Sequence, residues 1–211
     1  MKVFLRSFLL ISILLLSERT FAYTPKEGNV SAILGPFFYK TNFSGSPSGA
    51  TSPYLSGTTL MAIGDISDHG SLELGIFYLN KIYFRERYGN YLAEKTQLVH
   101  ITMGYRRWWT SYLSTSLSFF SAYSLGDVEI VHSDFQGVGE PTTSARDKTE
   151  YGFDAALQGE VWSLDRYAVD IDLRYSRSVT NQEHENADHY GIFVGLRYFI
   201  QEKQKAQKPK N

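Results

Sequence analysis

His132, Ser133 and Asp134 stand side by side, and a serine, a histidine and an acid are the parts from which hydrolytic and acyl-transfer sites are built. Such a site needs the base within hydrogen-bonding reach of the nucleophile and a third group that orients the base. In an extended segment alternate side chains share a face, so His132 and Asp134 can meet while Ser133 points away. The trio is therefore read as a polar strand end, and no catalytic residue is assigned. Glu183, His184, Glu185, Asp188 and His189 form a second cluster of carboxylates and imidazoles, the donor types that hold divalent cations. Their spacing matches no metal motif, so a solvated loop is expected, with no metal and no cofactor. His69 lies in the turn signal Asp68-His69-Gly70 and needs no further role. The chain has no Cys, which removes thiolate catalysis, disulfides and cysteine zinc sites.

The remaining charged residues are evenly balanced: 21 Lys and Arg against 22 Asp and Glu in 211 residues, a formal net charge of -1 that gives no reason to expect nucleic acid. A mean hydropathy of -0.26 argues against a bundle of membrane helices. It is compatible with a soluble domain or with a membrane β-barrel, whose strands average apolar with polar. Residues 1–22 carry Lys2 and Arg6 ahead of an apolar run from Phe8 to Leu16, then Thr20 and Ala22 at positions −3 and −1 of a cut. That pattern is a secretory signal peptide with cleavage after Ala22, because the run is too short to span a bilayer.

Strand signals recur from Asn29 to Ile200 with hardly a helical interval, and every second residue assigns the faces. In 71–85, Leu72, Leu74, Ile76, Tyr78, Ile82 and Phe84 oppose Glu73, Gly75, Lys81 and Arg85 with Phe77, Leu79 and Tyr83 among them, so this strand is apolar on one side and mixed on the other. In 97–107, Val99, Ile101, Met103 and Tyr105 oppose His100, Thr102, Gly104 and Arg106. In 112–126, Leu113, Leu117, Phe119, Tyr123 and Leu125 oppose Ser114, Ser116, Ser118 and Ala122. In 150–162, Tyr151, Phe153, Ala155, Leu157 and Val161 oppose Glu150, Asp154, Gln158 and Glu160. In 167–176, Tyr167, Val169, Ile171, Leu173 and Tyr175 oppose Asp170, Asp172 and Arg174. In 190–200, Tyr190, Ile192, Val194, Leu196, Tyr198 and Ile200 oppose Gly191, Gly195 and Arg197. Segments 29–43 and 57–67 complete eight strands, their facing left open. Short connections at 67–70, 107–111 and 163–166 alternate with long polar ones at about 44–56, 86–95, 133–148 and 178–188. Trp108, Trp109, Trp162, Tyr112, Tyr167, Tyr198 and Phe199 map to the short-turn rim as one aromatic girdle. Phe43, Phe84, Tyr123, Tyr151, Tyr175 and Tyr190 map to the long-loop rim as the other.

On these features, and on the final strand Tyr190-Gly-Ile-Phe-Val-Gly-Leu-Arg-Tyr-Phe-Ile200, residues 29–200 resemble the small eight-stranded outer-membrane β-barrels of Gram-negative bacteria, the outer membrane protein A and X type. The resemblance implies an all-β, eight-stranded, antiparallel up-and-down transmembrane β-barrel over 23–200 in the outer membrane. Its implied partners are outer-membrane lipids and, during biogenesis, the barrel-assembly machinery, with a monomeric state. Family members commonly end at the last aromatic, whereas here the basic residues 201–211 follow and are expected to be a disordered periplasmic tail. An eight-stranded barrel is filled by its side chains rather than by an aqueous channel. Glu73, Asp154, Glu160, Asp170 and Asp172 with Lys81, Arg85, Arg106, Arg174 and Arg197 are therefore expected to form a paired lumen network, and His100 to join it. The expected function is non-enzymatic, structural or surface-interacting through the extracellular loops. A narrow ion channel whose pairs exchange partners and a lipid-modifying enzyme of the outer leaflet are the alternatives, with a secreted ligand-binding barrel as a fourth.

Overall fold

The structure is a computed structural model that describes residues 23–42, 51–135, 149–181 and 185–200. The signal-peptide and basic-tail expectations, and the placement of Phe43, Glu183 and His184, fall outside those residues. Ten strands follow in order: β1 (Val30–Thr41), β2 (Leu55–Asp65), β3 (Gly70–Arg87), β4 (Asn90–Trp108), β5 (Leu113–Ser124), β6 (Glu129–Ser133), β7 (Glu150–Leu164), β8 (Tyr167–Ser178), β9 (Glu185–Asn186) and β10 (His189–Ile200). Eight of them, all but β6 and β9, pair antiparallel with their neighbours in the order β1-β2-β3-β4-β5-β7-β8-β10. The sheet closes where β1 pairs with β10, from Val30 opposite Ile200 to Thr41 opposite His189. Closure leaves these eight strands without a free edge.

Alternation sets the two faces. Leu34, Leu60, Leu72, Met103, Leu117, Leu173 and Leu196 stand exposed on the outside, while Glu73, Arg106, Asp154, Asp172 and Arg174 are buried within. The open facing of the first two strands resolves with Ile33, Phe37 and Tyr39 of β1 and Met61 and Ile63 of β2 inside. The lumen therefore holds an apolar cluster as well as charges, joined by Phe77, Leu79, Phe120 and Phe193. A sharp hydrophobic-out, polar-in pattern is absent in β1 and β2 for that reason.

Two expectations are corrected, and a third is met only through an irregularity of the fold. The long loop at 86–95 is instead the continuation of β3 and β4, paired without interruption to Arg87 opposite Asn90. The reversal is the pair Tyr88 and Gly89 with φ of 53° and 79°, the positive values of a tight hairpin turn whose twist matches its strands. Ile82 and Phe84, expected on the outer face, are buried, as are Leu92 and Ala93 opposite them. There β6 pairs with β4 and β9 pairs with β3, so a four-stranded ribbon β6-β4-β3-β9 continues beyond the other strands. Second, Trp108 is buried beside Arg106's face of β4 and is no girdle residue, because Trp108 and Trp109 alternate and only Trp109 is exposed. Third, a bulge between Glu160 and Trp162 shifts the β7 register. It puts Val161 and Trp162 both outside, so Trp162 reaches the rim that strict alternation denies it.

Candidate functional site

The lumen is built in layers, each drawing one or two side chains from several strands. At its middle Glu73 of β3 accepts hydrogen bonds from Arg106 Nε at 2.9 Å, Arg106 Nη2 at 2.7 Å and Ser118 Oγ at 2.7 Å. Arg106 also donates from Nη1 to Ser114 Oγ at 2.8 Å and from Nη2 to Asp172 at 3.2 Å. Arg174 of β8 reaches Asp154 at 3.2 Å, Asp172 at 3.3 Å and Glu73 at 3.5 Å. Asp154 meets His100 Nε2 at 3.2 Å. Two guanidiniums thus bridge three carboxylates across β3, β4, β7 and β8. Arginine suits this position because its planar fork serves several acceptors at once.

Aromatic rings cap this network on one side. The Arg174 guanidinium lies 5.0 Å from the Phe77 ring, and His100 stacks on Phe120 with centroids 4.2 Å apart. His189 meets His100, Phe37 and Tyr39 edge-on at 5.5, 6.2 and 5.9 Å. Past them Lys81 pairs with Glu150 at 2.6 Å, and the Tyr83 hydroxyl donates to the same carboxylate at 2.8 Å. At the short-turn end Arg197 pairs with Glu160 and lies 3.5 Å from Asp170. Trp108 Nε1 donates to Ser71 Oγ at 2.8 Å, and Ser71 donates to Asp65 at 2.6 Å. Tyr23 closes this floor, its ring 5.0 Å from Trp108 and 4.3 Å from the Arg197 guanidinium. Side chains from every layer, Arg106, Lys81, Phe37, Phe77 and Phe120 among them, are less than 2% exposed. The described interior is thus filled by side chains, as that of an eight-stranded barrel can be.

Of the ten residues expected in the network, nine line the interior. Arg85 does not: it is half-buried in the ribbon, in register with Glu185 of β9. Sequence reasoning missed Asp65 and Tyr23, and it placed Glu150 on the inward face without counting it in the network. Glu150 shares the parity of Asp154 and was legible from that, whereas Asp65 ends a strand whose facing the pattern left open. The buried carboxylates among the described residues are therefore Asp65, Glu73, Glu94, Glu150, Asp154, Glu160, Asp170, Asp172 and Glu185, against Lys81, Arg106, Arg174 and Arg197. The expected parity of five against five does not hold.

The other chemical candidates separate. His132 Nε2 lies 2.8 Å from Asp134 and stacks on Tyr91 at 4.2 Å, while Ser133 Oγ accepts the Phe135 N–H at 3.2 Å. The hydroxyl is engaged away from the imidazole. In the fourth long connection Asp188 accepts from the Tyr175 hydroxyl at 2.8 Å and the Ser178 N–H at 3.0 Å. His189 instead turns into the barrel and Glu185 is buried, so these two side chains are not part of the solvated cluster expected there. Among the described residues no group of His, Asp and Glu is arranged to hold a metal ion. Outside, Trp109, Tyr112, Trp162, Tyr167 and Tyr198 ring the short-turn end, and Tyr78, Tyr123, Tyr151, Tyr175 and Tyr190 ring the other. Phe84 leaves the second ring for the interior of the ribbon.

No protein-family profile matches the chain, and no curated protein sequence does. Solved structures do match. The outer membrane protein OprG from Pseudomonas aeruginosa aligns over 85% of this chain and 99% of its own with 12% identity and a TM-score of 0.59. Ail, the attachment invasion locus protein of Yersinia pestis, in complex with the heparin analogue sucrose octasulfate, aligns over 82% of this chain and 99% of its own with 14% identity and a TM-score of 0.50. With its eight antiparallel strands closed between β1 and β10, the chain has the fold of the small eight-stranded outer-membrane β-barrels.

Proposed function

We propose that this chain is a non-enzymatic, monomeric barrel of the bacterial outer membrane that presents an interaction surface to the exterior. The observation that carries this reading is the ribbon β6-β4-β3-β9, which rises past the barrel on the long-loop side while the lumen below it is filled. A filled lumen does no transport, so the part available for recognition is the ribbon with the connections around it. On β6, Glu129, Ile130, Val131 and His132 are all exposed, which gives an apolar centre between polar ends on a strand that, among the described residues, is paired on one side. Such an edge can accept a further strand from a partner. The aromatic rings at both ends and the apolar outside between them support insertion into lipid, with outer-membrane lipids and the assembly machinery as the partners of biogenesis.

The test is a short epitope inserted between Tyr88 and Gly89. Antibody labelling of intact cells, together with a heat-dependent shift of the folded protein on SDS gels, is the expected result. Labelling only after the outer membrane is broken would overturn the orientation, and solubility without detergent would overturn the membrane reading. Refolded protein in planar bilayers is expected to give no conductance steps.

A further inference from the structure

Tyr23 is the first residue after the cut expected behind Ala22, and its backbone nitrogen points into the floor of the barrel. It lies 3.4 Å from Glu160 Oε1 and 3.4 Å from Glu160 Oε2, centred on both oxygens of one carboxylate. That carboxylate is the one paired with Arg197. The rest of Tyr23 is locked in the same place: its hydroxyl donates to Asp65, and its ring packs on Arg197, Trp108 and Phe199. Asp65 is held in turn by the Lys26 N–H at 2.9 Å and by Ser71.

From this geometry we infer that cleavage between Ala22 and Tyr23 is an assembly step as well as a sorting step: it creates an α-ammonium that docks on the Glu160 carboxylate and completes the charge pairing of the barrel floor. Hydrolysis by an exported signal endopeptidase consumes one water, whose hydroxyl goes to the Ala22 carbonyl and whose hydrogen goes to the Tyr23 nitrogen, which then takes up a proton. A peptide N–H has one hydrogen to share between two oxygens, and an ammonium has three donors and a full charge. The charge is what the site lacks. The charged groups around Tyr23 are Glu160 of β7, Asp170 of β8, Arg197 of β10 and Asp65 of β2, with Lys26 exposed on its own segment and Asp165 and Arg166 in the β7–β8 turn. The buried carboxylates Asp65, Glu160 and Asp170 thus share the Arg197 guanidinium, with Arg106 of the middle layer acting on Asp170 alone of the three, so acids outnumber cations at this floor among the described residues. Buried charge is tolerated when paired, so a second cation at this point stabilises the closed barrel. The uncut chain can offer only the neutral amide there.

The experiment compares three refolded chains in detergent: one beginning at Tyr23, one beginning at Tyr23 with its α-amine acetylated, and one with Gly-Ser ahead of Tyr23. Urea unfolding followed by tryptophan fluorescence is expected to show the free-amine chain as the most stable, with the folding equilibrium about tenfold or more in its favour. In Glu160→Gln the three chains are expected to unfold together, because the acceptor charge is gone. The sign with pH follows from the ammonium being the form that the fold holds. The advantage is full below the ordinary α-amino range of about 7.7–8.0 and is lost as pH rises beyond the folded-state value. Equal midpoints for the three chains, or the same difference in Glu160→Gln as in the parent, would overturn the inference. If Glu160→Gln does not refold, reductive 13C-methylation of the free amine and its NMR titration in the parent decide instead: a raised midpoint supports the docked ammonium and an ordinary one refutes it. N-terminal sequencing of the exported protein must also begin at Tyr23; any other start refutes the assignment.

Discussion

Arg106 and Arg174 show why single residues matter in this lumen. Each serves several buried carboxylates, and Glu73 and Asp172 are shared between them, so removing one leaves Glu73, Asp154 and Asp172 to a single guanidinium. Arg106→Met is expected to destabilise the barrel by about 3–5 kcal/mol in urea titrations, the cost of breaking a buried ion pair from one side. The double change Arg106→Met with Glu73→Leu is expected to recover part of that loss, because the stranded charge goes too. At the surface the energetics are different. The hydrogen bond from His132 holds the Asp134 carboxyl below its ordinary range. A depressed carboxyl contributes above its unfolded value and loses that contribution as pH falls through the folded one. The His132 ring resonances are therefore expected to change in acid as Asp134 protonates, while Asp134→Asn removes that transition. Charged residues in alternation were legible in the sequence as the interior set, since a hydrocarbon exterior leaves them one side to occupy. Trp108 was not legible as interior, because an aromatic beside a short turn fits a girdle and a floor equally well.

At the scale of elements, the pattern was readable where the two faces differ in polarity and unreadable where they do not. Strands β5, β8 and β10 carry apolar residues outside and, Phe120 and Phe193 apart, polar or small ones inside, and their facing follows directly. In β1 and β2 the inward Ile33, Phe37, Tyr39, Met61 and Ile63 match the outward apolar residues, so period two disappears. The upper part of β3 and β4 hides itself for a related reason: residues 81–84 and 92–94 are buried in succession, so apolar and charged residues fall on both faces. Two variants probe these elements. Gly89 has φ of 79°, and Gly89→Ala is expected to cost about 1–2 kcal/mol, read as faster amide exchange in the ribbon with the barrel itself still protected. Gly104 has the opposite problem, since a Cβ there meets Leu117 O and Ser118 Cα of β5 at 2.4 Å, both backbone atoms that cannot swing aside. Gly104→Ala is expected to lower the urea midpoint by an amount corresponding to about 1–3 kcal/mol.

For the whole molecule, the three tryptophans report which surface is in contact with what. Trp109 and Trp162 are exposed on the outside and Trp108 is sealed in the floor. In vesicles of brominated lipid, a variant that keeps only Trp108 is expected to retain its fluorescence, and variants that keep only Trp109 or Trp162 are expected to be quenched. Equal quenching of all three would contradict the sealed floor. The seam between β1 and β10 has its own consequence. Val30 stands opposite Ile200, so the earliest strand waits for the latest, and almost the entire chain has to be present before either edge is satisfied. Until then two unpaired strand edges are on offer to any neighbour, which makes the period before closure the hazardous one. A stop codon ahead of β10 leaves no smaller barrel to fall back on, only an open sheet. By the same geometry the two ends of the barrel lie side by side, so a chain spliced there and reopened between Tyr88 and Gly89 keeps every barrel pairing, a circular permutant with its entrance moved to the far side of the membrane.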